Sequence, residues 1–163
     1  MSAGTGTGAG TGSGTGTGTS PGSSSGFGAG SGLVGIVLVS HSAAVASAVA
    51  ELARGLAGGG ELAPVLPAGG TPDGGLGTSS ELISEAAKGV DRGAGVAILV
   101  DLGSAVLTVK ALLAEGDELP EGSRLLDAPF VEGTVAALVT ASAGGDLDAV
   151  AAAASEAYAY RKG

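Results

Sequence analysis

Apolar residues along this chain come in short unbroken runs and in helical stripes, and the two alternate. Leu33-Val34-Gly35-Ile36-Val37-Leu38-Val39 is a run of mostly branched residues that stops at Ser40-His41-Ser42, the pattern of a strand buried on both faces. Ala43 to Ala57 follows, with Val45, Val49, Leu52 and Leu56 at helical spacing, and Gly58-Gly59-Gly60 ends it. Leu62-Ala63-Pro64-Val65-Leu66-Pro67 reads as a second strand whose prolines predict an edge position. The glycine-rich loop from Ala68 to Gly77 leads into a helix capped by Thr78 or Ser79 and running to Lys88. Gly95 to Val100 predicts a third strand ending at Asp101, and Leu102-Gly103-Ser104 opens a helix through about Ala114. Beyond an acidic, turn-rich segment from Glu115 to Ser123, Arg124-Leu125-Leu126-Asp127 predicts a short fourth strand. Val131 to Ala143 is helical, and Asp146 caps a last alanine-rich helix to about Tyr160.

This order predicts an α/β fold, a mostly parallel central sheet with helices on both faces. Ligands of such sheets bind at the carboxyl ends of the strands. Those ends offer His41, the Gly69-Gly70-Thr71 loop, Asp101 with Gly103-Ser104, and Pro129 with Glu132-Gly133-Thr134. An imidazole, whose ordinary pKa is about 6.5, keeps a nucleophilic ring nitrogen at neutral pH. The N–H groups that open the following helix face the place where an anion would sit. His41 is therefore expected to accept a phosphoryl group, with Asp101 holding one ring nitrogen and leaving the other free. Ser42, Gly70, Thr71, Gly103 and Ser104 are expected to line the site.

Blander readings stand beside these. A lone histidine at a strand end serves as often as a hydrogen-bonded spacer, and an aspartate there is more commonly a helix cap; their meeting on one rim favours the functional reading. The segment from Gly69 to Thr78 matches neither GxGxxG nor GxxxxGK[ST], so a turning loop is its default, with Thr71 and Thr78 as candidate phosphate donors. A hydrolase built from Ser104, His41 and Asp101 lacks the Gly-x-Ser-x-Gly elbow. A non-catalytic binding module is the remaining alternative.

Composition narrows the field further. Residues 1–32 are almost wholly Gly, Ser, Thr and Ala, and no charged residue precedes Glu51. Such a segment cannot bury enough apolar surface to offset its ordering entropy, so a disordered tail is expected there and a single domain over residues 33–163. Without a basic n-region or an apolar h-region, the tail does not read as a signal peptide. No cysteine is present, which excludes disulfides and thiolate metal sites, and no metal or other cofactor is expected. Uncharged apolar runs all fall short of the ~18 residues that a membrane span needs, so a soluble, cytoplasmic protein is expected. A net charge of −9 argues against nucleic acid and for a basic protein partner. With two Phe, two Tyr and no Trp, the core must be filled by Val, Leu, Ile and Ala.

Four segments carry a resemblance when taken together and in order. Val39-Ser40-His41-Ser42, Ala68-Gly69-Gly70-Thr71 with Gly77-Thr78, Leu99-Val100-Asp101-Leu102-Gly103-Ser104-Ala105, and Ala128-Pro129-Phe130-Val131-Glu132-Gly133-Thr134 resemble the DhaM family. Its members are the phosphocarrier subunits of bacterial phosphotransferase-dependent dihydroxyacetone kinases. The resemblance covers about residues 33 to 158 and implies a mannose-type IIA-like fold, a phosphohistidine at His41 and Asp101 as its orienting partner. It also implies HPr as phosphoryl donor, ADP held in the nucleotide subunit DhaL as acceptor, DhaK as the companion subunit, and a homodimer. Some members carry fused HPr-like and enzyme I-like domains, which this chain is expected to borrow from elsewhere. Typical members begin almost at the first strand, and the tail departs from that pattern. A mannose-type IIA component of a sugar transporter shares the histidine chemistry; the Asp-Leu-Gly-Ser-Ala and Ala-Pro-Phe-Val-Glu-Gly-Thr segments favour the dihydroxyacetone branch.

Overall fold

A computed structural model of the chain describes residues 32–163, together with Gly4, Gly6 and Gly8. The expected tail lies outside the described residues. Strands β1 (Gly35–Ser40), β2 (Val65–Gly69), β3 (Val96–Val100) and β4 (Ser123–Leu125) alternate with helices α1 (Ala43–Leu56), α2 (Ser80–Val90) and α3 (Gly103–Glu115). Helices α4 (Phe130–Ser142) and α5 (Leu147–Glu156) complete the chain, with a final 3-10 turn over Ala157–Ala159. All pairings are parallel, in the order β2-β1-β3-β4. Helices cover both faces, as the alternation of elements predicts.

Strand β1 shows why the run at residues 33–39 is apolar throughout. Ile36 and Leu38 face α1, α4 and α5, while Val37 and Val39 face α2 and α3, so each side chain enters one of two cores. Strand β3 repeats this, with Ala97 and Leu99 on one face and Val96 and Ile98 on the other. Leu38 and Leu99 have no exposed surface, and truncating either to alanine would cost about 2–5 kcal/mol.

The stripe that marks α1 in the sequence is not the one it buries. Of its four large apolar positions only Val49 is buried; Val45, Leu52 and Leu56 are 45%, 46% and 61% exposed. Ala46, Ala50 and Ala53 face inward instead. The strands already present large branched side chains to that face, so the helix reaches close-packed density through small residues.

Boundaries differ in ways that hydrogen bonds explain. Leu62 to Pro64 is not strand: the Ala63 N–H donates to Ser142 Oγ (2.9 Å), and the ladder begins with Ile36 N–H donating to the Pro64 carbonyl (2.8 Å). Pro67 lies within β2, opposite Leu38 and on a sheet edge, where its missing N–H costs no ladder bond. The last helix stops at Glu156 because the chain tightens into the 3-10 turn, from which Tyr158 Oη donates to Asp127 (2.9 Å).

Strand order also positions the site. From β1 the chain crosses to β2 through α1, then returns past β1 to β3 through α2. Right-handed crossovers in opposite directions place α1 and α2 on opposite faces and part the loops that follow β1 and β3. The resulting crevice is where His41 and Asp101 emerge.

Candidate functional site

Neighbouring strands in register bring the two residues together. Val39 pairs with Val100, so the chain leaves β1 through Ser40 into His41 beside the point where β3 runs into Asp101. The Asp101 N–H donates to the Val39 carbonyl at 3.1 Å and extends the ladder by one bond. His41 Nδ1 then lies 2.9 Å from Asp101 Oδ1.

Four donors surround that carboxylate. Oδ1 accepts from the His41 ring (2.9 Å) and from the Leu102 N–H (2.7 Å), and Oδ2 accepts from Ser40 Oγ (2.8 Å) and the His41 N–H (3.0 Å). Partial burial pushes the carboxyl pKa upward, but the bonds from the His41 N–H, Ser40, the His41 ring and the Leu102 N–H outweigh it and hold Asp101 below the usual carboxylate range. Asp101 is thus ionised and accepts only, so in the neutral imidazole the ring proton sits on Nδ1 and Nε2 keeps its lone pair. Asp101 does not cap α3. That N-cap is Leu102, which makes no side-chain capping bond.

Nε2 faces Ser104 Oγ at 2.5 Å. Ser104 and Gly103 are the first residues of α3, where backbone N–H groups have no intrahelical acceptor. A negatively charged group on Nε2 would meet those donors and the positive end of the helix dipole. The His41 side chain is 26% exposed and that of Asp101 16%; the Nε2 contact with Ser104 is exposed, and the Nδ1 contact with Asp101 is partly buried.

The other expected residues support the site from behind. Ser42 is the N-cap of α1: its hydroxyl accepts from the Val45 N–H (3.3 Å), and its own N–H donates to Ser40 Oγ (3.1 Å). Gly70 N–H donates to the Ser40 carbonyl (3.0 Å) and Gly77 N–H to that of His41 (2.9 Å), so the glycine loop braces the end of β1. Gly69 is required there because a Cβ would stand 2.4 Å from the Ser42 carbonyl oxygen, and Gly70 has φ +72°. Thr71 turns inward on its own loop, with its N–H on the Gly75 carbonyl (3.0 Å) and its hydroxyl on Asp73. Thr78 pairs with Thr108 Oγ1 (3.0 Å), and the cap of α2 is Ser79. His41, Asp101 and Ser104 meet at one point, Gly103 adjoins them, and Ser42, Gly70 and Thr71 hold the surrounding backbone.

At the end of β4 the quoted motif is structural. Gly133 packs so closely on Ala128 that a Cβ would approach it to 2.9 Å, the buried Thr134 donates to the Phe130 carbonyl (2.5 Å), and Glu132 pairs with Lys162. Sequence reasoning missed Ser40. Its signal lay in the strand period: after Ile36 and Leu38, a hydroxyl occupies the next position on the same face. Among the described residues no group of three or more His, Cys, Asp and Glu could hold a metal, and no helix is long and apolar enough to cross a membrane.

The family model for EIIA-man, described as the PTS system fructose IIA component, matches residues 35–151. The chain belongs to the EIIA-man family. Within it the chain is of the DhaM type. It is 38% identical over 132 residues to the "PEP-dependent dihydroxyacetone kinase, phosphoryl donor subunit DhaM" of Pantoea ananatis, covering 80% of this chain and 28% of that protein. With the Escherichia coli protein of the same name the identity is 37%, over 72% of this chain and 25% of the relative. This EIIA-man chain therefore spans about a quarter of the length of those two relatives. Against phosphoryl donor subunit DhaM of PEP-dependent dihydroxyacetone kinase 2 from Listeria innocua, identity is 34% over 66% of this chain and 85% of the relative. The solved structure of EF1359, a protein of unknown function, matches with a TM-score of 0.67 at 32% identity, covering 80% of this chain and 98% of the other.

Proposed function

We propose that this chain is a phosphohistidine carrier, in which His41 Nε2 takes a phosphoryl group from phospho-HPr and passes it to ADP bound in the DhaL subunit of a dihydroxyacetone kinase. One observation carries the reading. Asp101 Oδ1 stands 2.9 Å from His41 Nδ1 and accepts its N–H, which leaves the lone pair on Nε2, at the exposed contact with Ser104. In the first transfer the Nε2 lone pair forms the new bond to phosphorus, and the bond from phosphorus to the donor breaks with its electron pair returning to the donor. Asp101 balances the charge that the ring gains, and the Ser104 hydroxyl turns from Nε2 to a phosphoryl oxygen. In the second transfer a β-phosphate oxygen of ADP attacks phosphorus, and His41 returns to neutral imidazole. Little covalent assistance is needed for such a loose transition state, so positioning and charge do most of the work.

Chemistry on the triose belongs to the partners, DhaL together with DhaK. In this reading the chain works in the cytoplasm as a homodimer, a state that sedimentation at several concentrations measures. The experiment for the carrier role is mass spectrometry after incubation with phosphoenolpyruvate, enzyme I and HPr, followed by addition of the kinase subunits with bound ADP. One acid-labile, base-stable phosphoryl group should appear on His41, and dihydroxyacetone phosphate should form only once the subunits are present. Product formed by the chain alone would make it a kinase instead of a carrier, and a chain that takes no label would be a binding module.

Two other readings have specific support. The family model's fructose description favours a IIA component of a sugar transporter, which would phosphorylate a transporter IIB domain in place of the kinase subunits. Ser104, His41 and Asp101 stand in the order of a hydrolytic triad; a Ser104→Ala chain that still takes label at His41 separates the carrier from the hydrolase.

A further inference from the structure

We infer that Ser40, a residue with no exposed surface, is a positioning residue that acts on His41 through Asp101. Its hydroxyl proton has one direction available. Ser40 Oγ accepts the Ser42 N–H at 3.1 Å, so its own hydrogen points to Asp101 Oδ2, 2.8 Å away. Oδ2 has one other donor, the His41 N–H. Together with the His41 N–H, the hydroxyl sets the plane of the carboxylate, and that plane decides whether Oδ1 lies in line with the Nδ1 proton. Because Ser40 is wholly buried, water cannot replace the hydroxyl once it is removed. The same contact joins the N-cap residue of α1 to the end of β3, so backbone on both sides of the crevice is referenced to one oxygen.

In Ser40→Ala the carboxylate keeps three donors and loses one of the two on Oδ2. Its pKa rises, since a bond to the charged form is gone. The Nδ1-protonated tautomer loses part of its advantage, because Asp101 Oδ2 is then held by the His41 N–H alone and the carboxylate is less firmly turned toward the ring. A charge-assisted bond of this kind corresponds to roughly tenfold in an equilibrium or rate.

The kinetic part of this inference rests on the proposed phosphoryl transfer, and a second readout does not. For Ser40→Ala the rate of His41 labelling by phospho-HPr at neutral pH should fall about tenfold. In an Asp101→Asn background the same substitution should have little further effect, because the route through the carboxylate is already broken. Ring nitrogen shifts of His41, read by nuclear magnetic resonance on the full chain, should show Nδ1–H as the dominant tautomer in the wild type and a mixture in Ser40→Ala. Ser40→Thr, which keeps the hydroxyl, should restore the wild-type tautomer and labelling rate. Equal ring shifts in wild type and Ser40→Ala, or a full tenfold effect persisting beside Asp101→Asn, would overturn the positioning role. A wild-type chain that takes no label counts against the carrier function alone, and the ring shifts still decide the role of Ser40.

Discussion

The crevice between β1 and β3 and the cavity between β3 and β4 share a wall, Asp101 to Gly103, yet they are built on opposite plans. The cavity holds about 510 Å³ and is lined by Val106, Lys110, Asp127, Phe130 and Tyr158 among others. No histidine lines it, and the Tyr158–Asp127 bond on its edge is exposed. In the crevice each acceptor oxygen of Asp101 has two donors and each ring nitrogen of His41 a partner. An enzyme that transforms a small molecule needs walls around it. A relay needs one well-oriented atom that a second protein can reach, and volume is then a poor guide to where the chemistry lies.

Substitution tests that contrast in descending order of effect. His41→Ala should abolish phosphorylation by phospho-HPr altogether; label retained on that variant would remove the crevice from the mechanism. Asp101→Asn should leave a folded chain whose labelling rate is lower by about a hundredfold or more, since it keeps the shape and removes the charge that orients and stabilises the ring. A rate near that of the wild type would reduce Asp101 to a backbone brace. Ser104→Ala should slow labelling by about tenfold without preventing it, the scale of one hydrogen bond to a charged phosphoryl oxygen.

Acid titration probes the crevice from a different side. Asp101 is held below the usual carboxylate range when folded and returns to about 3.9 when unfolded. Its contribution to stability is therefore complete above that value and is lost as pH falls through the folded pKa. Denaturant melts at a series of pH values should show a shallower acid loss in Asp101→Asn than in the wild type, and parallel curves would contradict the hydrogen-bonded geometry. The smallest effect belongs to the cavity. Tyr158→Phe removes its bond to Asp127 and should change the labelling rate by less than about twofold; a large loss would move part of the docking surface into the β3–β4 space.

Periodicity along the chain determined the element order, the parallel sheet, the edge position of the proline-bearing strand and the meeting of His41 with Asp101 on one rim. These follow from short-range rules: a run apolar at every position must be buried on both sides, and strands separated by helices must run parallel. What the sequence alone left open were features that depend on distance between segments far apart in the chain. Which face α1 buries was decided by the bulk of the strands beneath it, so alanines went inward and Val45, Leu52 and Leu56 outward. That the glycine loop braces the end of β1 depends on Gly70 and Gly77 lying within hydrogen-bond reach of Ser40 and His41, 30 and 36 residues away, in a chain whose turns bring such segments together. Which ring nitrogen of His41 stays free of the carboxylate was likewise a tertiary decision. No local pattern says which edge of an imidazole a carboxylate 60 residues distant will reach; the β1–β3 register and the hydroxyl of Ser40 do, by setting where that carboxylate stands and how it is turned.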